Sequence, residues 1–388
     1  MIKKEKKRVP ELRFPEFHED WVTDRTDHFL VRYVNAVSVQ LEKKYKQIGI
    51  RSHGKGIFHK DPVTGEALGN KRVYWVHPEV FTVNIVFAWE QAVALTSSDE
   101  EGYIASHRFL MFLPKENRVD LKFVLLFFLR RRGKYLLELA SPGGAGRNKT
   151  LGQESFAELE ITLPQKEEQE KIASFLGAVD TRLNQLRRKR ELLQTYKRGV
   201  MQKFFSQEIR FKGAIGSEFP DWENKRLEEL FSEFRSGINI TSEAIAEYGT
   251  YPVFGGNGLR GYAESFTHDG FYFLIGRQGA LCGNINRTYG KAYISEHAIA
   301  CKANETSDTE WLAQRLDYYN LNKLSESSAE PGLSVKKLLR FKLLVPSKEE
   351  QQKMTDFLMM IDRKIETLSR QIDQTEQFKK GLLQKLFV

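Results

Sequence analysis

Basic and hydroxyl side chains gather in a glycine-rich stretch between residues 43 and 72, where lysine and arginine alternate with aromatic residues. Lysine and arginine neutralise phosphates, and arginine and serine also reach base edges. The stretch favours contact with nucleic acid, although an ordinary solvated basic surface has a similar composition. The candidate contact residues are Lys46, Arg51, Ser52, His53, Lys55, Lys71 and Arg72.

Two further glycine-rich loops, residues 255–261 and 276–290, are rich in arginine, asparagine and glutamine. Arginine suits guanine, and asparagine and glutamine suit adenine. Polar loops with a purely structural role would look similar. The candidates here are Asn257, Arg260, Arg277, Gln278, Asn284 and Asn286, with Arg287 in the same loop. His107 and His297 each follow a Tyr-Ile pair at the same spacing, which indicates either a shared site or a histidine that supports the fold.

The composition is that of a basic globular protein. The 388 residues include 60 Lys and Arg against 51 Asp and Glu, a net charge of +9, and 41% are hydrophobic. This length predicts two or three domains, and the positive charge favours an extended acidic partner such as nucleic acid. Cys282 and Cys301 are too few for a disulfide framework, and no Cys/His spacing offers a zinc site. We therefore expect a reducing compartment, the cytoplasm.

Neither a secretion signal nor a membrane span is expected. The charged start, residues 1–8, leads into Pro10 instead of an apolar stretch. The most apolar run, residues 123–129, is too short by about threefold to cross a bilayer and predicts a buried helix.

Enzyme signatures fail on inspection. Residues 143–150 resemble a phosphate-binding loop, but Asn148 replaces the glycine before the lysine. Residues 220–225 contain the acids of a metal nuclease nearly adjacent to one another, which favours a charged linker anchored by Trp222. The Asn-Pro-Pro-aromatic segment of amino-methyltransferases does not occur. A self-contained methyltransferase or nuclease is therefore disfavoured, and an activity assay on the chain alone would decide it.

The chain repeats itself at an offset of 182 residues. The segment Pro164-Gln165-Lys166-Glu167-Glu168-Gln169 returns as Pro346-Ser347-Lys348-Glu349-Glu350-Gln351, and the similarity runs without a gap to Phe205 and Phe387. A weaker echo relates Leu12-Arg13-Phe14 to Ile209-Arg210-Phe211. The whole chain is interpreted as a tandem duplication.

Each repeat ends in a long helix with apolar residues at alternating steps of four and three, which is typical of a coiled coil. Two matched stripes in one chain predict that the helices pair with each other, antiparallel, although two unrelated amphipathic helices are the alternative. The stripes are interrupted at Arg190 and Lys197 and at Thr375 and Lys379. The predicted pairing residues are Ile172, Leu176, Val179, Leu183, Leu186, Met354, Leu358, Ile361, Ile365 and Leu368.

The predicted fold class is α+β, with two globular regions joined by the two helices in a pseudo-twofold tandem repeat. Each globular region should carry a helix, Leu121 to Arg132 and Thr309 to Leu321, and a final strand before Pro164 or Pro346. A helix from Lys166 to Phe204 would be roughly 57 Å long, or about seventeen base pairs of DNA. The predicted parts are an N-terminal arm (1–21), a first globular region (22–163), a central helix (164–205), a linker (206–221), a second globular region (222–345) and a C-terminal helix (346–388).

This order of parts resembles the specificity subunit of type I restriction-modification systems. Further similarities are Pro10-Glu11-Leu12-Arg13-Phe14-Pro15-Glu16-Phe17 with Trp21, Gly276-Arg277-Gln278-Gly279-Ala280-Leu281, and Gly332-Leu333-Ser334-Val335. Together they extend over essentially the full chain. One departure is that the first globular region has Trp89-Glu90-Gln91-Ala92 in place of the Gly-Arg-Gln-Gly-Ala segment.

The resemblance implies a non-catalytic prokaryotic subunit that binds double-stranded DNA, each globular region reading one half of a bipartite asymmetric site. It also implies docking of two methyltransferase subunits and of restriction subunits. S-adenosylmethionine, ATP and Mg²⁺ would belong to those partners, and no cofactor is expected in this chain. The alternative is a generic coiled-coil scaffold that binds DNA without sequence preference.

Overall fold

The computed structural model describes residues 9–143, 149–279, 281–325 and 332–388. The first eight residues of the predicted arm, residues 144–148 of the segment that resembles a phosphate-binding loop, and Ala280 lie outside this part. The chain divides into unit 1, residues 1–186 with 371–388, and unit 2, residues 187–370. Each unit therefore combines one globular region with parts of both long helices.

The described part of unit 1 contains ten strands in two four-stranded sheets and one pair. The inner sheet has the order β2-β9-β6-β7, the outer sheet has the order β4-β3-β8-β5, and β1 pairs with β10. The strands are β1 (Val22–Arg25), β2 (Leu30–Tyr33), β3 (Lys44–Ile50), β4 (Ile57–Thr64), β5 (Val73–Trp75), β6 (Phe81–Asn84), β7 (Val93–Leu95), β8 (Ile104–Ser106), β9 (Phe109–Pro114) and β10 (Glu160–Leu163).

Most short helices of unit 1 pack on one face of its inner sheet, whereas the helix that contains Leu68 packs on the outer sheet. The helices before the first long one are α1 (Thr26–Phe29), α2 (Gly65–Leu68), α3 (Leu121–Leu129), α4 (Arg131–Leu139) and α5 (Gln153–Ala157). The single helix predicted from Leu121 to Arg132 is wrong, because Arg130 is extended (φ −81°, ψ 165°) and α4 begins after it. The sharp turn depends on Gly133, since a Cβ there would lie 2.3 Å from the Phe127 carbonyl oxygen.

The long helices are α6 (Lys166–Phe205) and, in unit 2, α9 (Lys348–Lys385). Each begins two residues after its proline. Two glutamates lie in its first turn, where the positive end of the helix dipole stabilises their negative charge. Of the predicted stripe, eight residues are buried and two, Val179 and Ile365, are half-buried. The eight are Ile172, Leu176, Leu183, Leu186, Met354, Leu358, Ile361 and Leu368.

Two of the four stripe interruptions are ion-pair positions. In unit 1, Lys379 pairs with Asp180, and in unit 2, Lys197 pairs with Asp362 at 2.7 Å. Within unit 2, the end of α6 meets the start of α9 through Phe204 and Phe357, whereas Lys197 pairs further along α9. The helix segments of that unit therefore run antiparallel, as the sequence predicts.

Unit 2 repeats the strand order of unit 1 in its inner sheet, and in its described residues the outer sheet has three strands in place of four. Its inner sheet is β12-β18-β15-β16, its outer sheet is β14-β13-β17, and β11 pairs with β19. In both outer sheets one neighbouring pair is parallel, β3 with β8 and β13 with β17. The strands are β11 (Glu223–Arg226), β12 (Phe231–Ser236), β13 (Tyr251–Gly255), β14 (Gly258–Ala263), β15 (Tyr272–Gly276), β16 (Ile285–Thr288), β17 (Tyr293–Ile294), β18 (Ala298–Ala303) and β19 (Lys342–Val345).

The shorter helices of unit 2 are α7 (Thr309–Tyr319) and α8 (Val335–Leu339). The interpretation of residues 220–225 as a linker needs correction, because Glu223 to Lys225 lie in β11 and Trp222 is buried in the core. Among the described residues, none of the helices is long and apolar enough to span a membrane.

The repeated Glu-Glu-Gln segment joins each long helix to its globular region. Glu168 accepts two hydrogen bonds from Arg13, at 2.8 and 2.7 Å, and the Glu168 side chain is 1% exposed. These hydrogen bonds raise the pKa of Arg13 above its ordinary value. Gln169 accepts from the Asp120 backbone N–H at 3.0 Å and donates to the Pro164 carbonyl at 2.9 Å. Asp120 in turn caps α3, accepting from the Phe123 N–H.

Unit 2 makes the same connection with different residues. Arg210 donates to Glu350 at 3.0 and 2.8 Å, and Gln351 accepts from the Asp308 backbone N–H at 2.8 Å. Asp308 caps α7 through the Trp311 N–H, as Asp120 caps α3. The weak sequence similarity around Arg13 and Arg210 thus reflects one shared contact. In each unit an arginine from the preceding segment, the N-terminal arm or the linker, holds a buried carboxylate.

Candidate nucleic-acid interface

Two glycine loops of unit 2 meet backbone to backbone. A Cβ on Gly276 would lie 2.6 Å from the Gly256 carbonyl oxygen, and one on Gly256 would lie 2.7 Å from the His297 carbonyl oxygen. No side chain fits at such distances, so glycine is required at both positions. This approach brings the β13–β14 turn and the end of β15 to one place, which we call the unit 2 reading surface.

Arg277 and Gln278 are held at this surface by their backbone. The Arg277 N–H donates to the His297 carbonyl, and its own carbonyl accepts from the Leu333 N–H, both at 2.9 Å. Gln278 forms a β-bridge with Gly332, and its side-chain oxygen lies 3.2 Å from His297 Nδ1. Gln278 is exposed and Arg277 is half-buried. The described residues of the two motifs, 276–279 with 281 and 332–335, therefore form one structure.

The remaining candidates of unit 2 lie around the same glycines. Asn257 and Arg260 are exposed at and after the β13–β14 turn. Asn286 Nδ2 lies 3.5 Å from the Gly256 carbonyl oxygen. Asn284 is exposed, and its backbone carbonyl accepts from the Gly276 N–H. All six predicted residues of unit 2 are thus close together, and arginine and amide groups at one surface can form bidentate hydrogen bonds with purine edges.

Arg287 has a different role. Neighbouring residues of a strand point to opposite faces, and Arg287 forms hydrogen bonds of 2.6 to 3.0 Å with the buried Glu310 of α7. Burial works to lower the pKa of Arg287, but the hydrogen bonds and charge of Glu310 raise it on balance. Arg287 therefore stabilises the packing of α7 on the inner sheet.

Five candidates of unit 1 lie on the hairpin of β3 and β4. The Arg51 guanidinium stacks 4.9 Å from the centre of the Phe58 ring, and its Nη1 donates to the Ile57 carbonyl at 3.3 Å. Lys46 Nζ lies 5.4 Å from the centre of the Tyr103 ring. These rings hold exposed cations in fixed positions, which suits contact with phosphates. His53 and Lys55 are exposed in the turn of this hairpin.

Ser52 ties the hairpin turn to a neighbouring turn. Its hydroxyl donates to a Glu90 carboxylate oxygen at 2.8 Å, and the His53 N–H donates to the Glu90 carbonyl. Lys71 and Arg72 are exposed in the segment before β5, where the Arg72 carbonyl accepts from the His107 N–H at 3.1 Å. The predicted residues of unit 1 therefore fall on two separate segments.

Residues 78–194 and 220–377 both match the model of the type I restriction modification DNA specificity domain. Each match begins in or just before a globular region and continues into the long helix that follows, and together they cover well over half of the chain. The chain belongs to this family.

Similar members of the specificity family include two specificity subunits of type I restriction enzymes. The EcoprrI subunit of Escherichia coli is 40% identical over 159 residues, which are 40% of this chain and only 38% of that protein. The MjaVIII subunit of Methanocaldococcus jannaschii is 24% identical over 97% of this chain and 95% of that protein.

Solved structures show the same family fold. The S subunit of a type I restriction-modification system from M. genitalium has a TM-score of 0.66 at 20% identity, over 98% of this chain and 99% of that one. A chain from a study of assembly and conformational transition of a type I system has a TM-score of 0.57 at 18% identity, over 95% and 97%. The α+β class with two domains in tandem is confirmed.

In this member of the specificity family, the strand register corrects one correspondence between unit 1 and unit 2 that the sequence predicted. Asn84 pairs with Phe109 as Gly276 pairs with Ala298. The N–H of the following residue donates in the same way in both units, from Ile85 to the Arg108 carbonyl and from Arg277 to the His297 carbonyl. The segment 84–87 therefore corresponds to Gly276–Gly279. Residues 89–92 correspond instead to 281–284, so the expectation that they replace the Gly-Arg-Gln-Gly-Ala segment is wrong.

The same register separates the two histidines that match in sequence. Both follow a strand at the same turn, but Arg108, not His107, occupies the position of His297. Between the Tyr-Ile pair and the next strand of the inner sheet, which is β9 in unit 1 and β18 in unit 2, unit 1 has one residue more. This extra residue accounts for the shift. His297 is a residue of the reading surface that the candidates from sequence omitted, and its recurring Tyr-Ile-x-x-His spacing was the available signal.

Proposed function

We propose that this chain is the DNA-reading subunit of a prokaryotic type I restriction-modification complex acting in the cytoplasm. Unit 1 and unit 2 each recognise one half of a bipartite asymmetric site in double-stranded DNA, and the paired helices set the distance between the halves. The chain docks two methyltransferase subunits, which bring S-adenosylmethionine and the methylation chemistry. Restriction subunits add ATP- and Mg²⁺-dependent cleavage, and the chain itself is non-catalytic and holds no cofactor.

One observation supports this proposal above the others. The strand order of the inner sheet occurs twice, and the residues at corresponding positions differ, as Arg277 and Gln278 differ from Ile85 and Val86. A scaffold that bound DNA without sequence preference would gain nothing from two different surfaces at one place in the fold. Two readers of different sequences require that arrangement.

The double substitution Arg277→Ala with Gln278→Ala should relax one half-site and leave the other intact. Each lost bidentate contact removes about 1–3 kcal/mol of discrimination against wrong bases. The measurement is methylome sequencing of cells that express the variant with its methyltransferase subunit. Arg226→Ala is a matched control, because this exposed arginine lies on β11, which pairs with the strand that leads into α9. Equal relaxation of both half-sites would contradict the assignment.

Lengthening both helices by seven residues, after Leu186 and after Arg370, should lengthen the permitted spacer. Seven helical residues add about 10 Å, or roughly three base pairs. The insertions lie between the ion pairs Asp180–Lys379 and Lys197–Asp362, so each pair is retained. A seven-residue insertion in the linker, after Gly213, lengthens the chain but not the helices and serves as the control. A methylome with an unchanged spacer would refute the role of the helices as a ruler.

A further inference from the structure

A groove of about 370 Å³ lies beside the end of β6 in unit 1. Its described lining residues include four that carry or can gain positive charge, two with an amide or hydroxyl group, and no acidic residue. The lining residues are Lys60, Lys71, Asn84, Val86, Phe87, Ser106, His107, Arg108 and Phe109. Of these, only Lys71 is among the contact residues predicted from sequence.

The groove occupies the place in unit 1 that the reading surface occupies in unit 2. Asn84 holds the position of Gly276, and Arg108 holds that of His297. The backbone around them repeats as well, since the Asn84 N–H donates to the Ala92 carbonyl as the Gly276 N–H donates to that of Asn284, both at 2.9 Å. Gln91 and Gly283, just before these acceptors, both have positive φ, 58° and 86°.

We infer that this groove reads the base edges of the half-site assigned to unit 1, with His107 and Arg108 as specificity-determining residues. The inference rests on the proposed function, and it names the residues that perform it in unit 1. In unit 2 the polar groups follow β15 directly. In unit 1 the corresponding Ile85 and Val86 are apolar, and the exposed polar groups come from the turn between β8 and β9.

The side chains of the groove suit a set of bases different from that of unit 2. Arginine forms bidentate hydrogen bonds with guanine. The buried Asn84 accepts from the Val86 N–H at 3.1 Å and supports the backbone of the groove. Phe87 is 39% exposed and offers an apolar contact for a thymine methyl group. His107 and Arg108 are exposed, so the half-site can reach both without rearrangement of the fold.

The hairpin of β3 and β4 serves a different purpose in this scheme. Arg51 is committed to the Phe58 ring and the Ile57 carbonyl, and Ser52 is committed to Glu90. The exposed charges of Arg51 and Lys55 therefore hold the phosphate backbone, while the groove distinguishes the bases. Contacts of these two kinds differ in their dependence on salt and on sequence, which makes the division testable.

The test compares two double variants of the full chain, each purified with its methyltransferase subunit. The groove variant is His107→Ala with Arg108→Ala, and the hairpin variant is Arg51→Ala with Lys55→Ala. All four side chains are exposed, which keeps the fold out of the comparison. Each complex selects duplexes from a random pool at fixed salt, and the selected sequences and their affinities are measured.

We expect the groove variant to lose roughly 10–100-fold discrimination at positions of one half-site only, and that half-site should be the one unaffected by the Arg277→Ala and Gln278→Ala changes. The hairpin variant should bind all sequences more weakly, with a salt slope reduced by about two and both half-sites unchanged. A groove variant that weakens all sequences equally would overturn the inference and leave the proposed function intact. A wild-type complex that selects no bipartite sequence would overturn both.

Discussion

Replacing Arg210 with alanine should destabilise unit 2 by about 3–5 kcal/mol, because it leaves the buried carboxylate of Glu350 without its cation. The Glu350 side chain is fully buried, and that of Arg210 is 19% exposed. Arg210 Nη2 also donates to the Phe219 and Pro220 carbonyls and so holds the arm before β11. Hydrogen exchange of the full chain should show faster exchange throughout unit 2.

Two controls make this result specific to the buried ion pair. Lys212 lies near Arg210 in sequence but makes an exposed ion pair with Glu218, at 3.4 Å, so Lys212→Ala should change stability by less than about 1 kcal/mol. The double substitution Arg210→Met with Glu350→Leu removes both charges and should restore much of the lost stability. If Arg210→Ala changed exchange no more than Lys212→Ala, the buried pair would have no structural role.

Replacing Phe387 with alanine should destabilise unit 1 by about 3–5 kcal/mol, although this residue is the last but one of the chain. Phe387 is 3% exposed and stacks 4.9 Å from the ring centre of Phe123 in α3. The Arg130 guanidinium lies 4.5 Å from the centre of the Phe387 ring. Burial lowers the pKa of Arg130 to about 10, so it keeps its charge at neutral pH and its attraction to the ring.

Hydrogen exchange again provides the measurement, because the expected loss of protection lies far from the substitution in sequence. Protection should fall in α3 and in the strands of unit 1 that share its core with Phe387. The matched control is Val388→Ala, since Val388 is 44% exposed. Loss of protection confined to the last turn of α9 would mean that the helix end frays independently of the core.

The long helices could be predicted from sequence because their signal is local. A step of four and three residues, repeated at an offset of 182, fixes a stripe without knowledge of the rest of the fold. The break at Arg130 has no comparable local signal. It depends on the close approach of Gly133 to the carbonyl of Phe127, and a glycine within a helical segment has several possible meanings.

The two candidate sites differ in how much of each the sequence could predict. In unit 2 the polar residues belong to glycine loops, so local composition locates them. In unit 1 the groove combines Lys60 of β4 with Asn84 of β6 and Arg108 before β9, which come together only through strand pairing. The register between distant strands cannot be predicted from a local sequence pattern. Here a shift of one residue makes Arg108, and not His107, the counterpart of His297.

The two globular regions attach to the long helices through the same few atoms. In each unit a glutamine accepts from the N–H of the aspartate that caps the next helix, Gln169 from Asp120 and Gln351 from Asp308. A short strand pair and one arginine–glutamate contact complete each attachment. In evolutionary terms, recombination can replace a whole globular region with another one. The new region must keep the aspartate that caps its helix and the short strand pair next to the long helix. The recognised sequence can then change in a single genetic event while the helices stay the same.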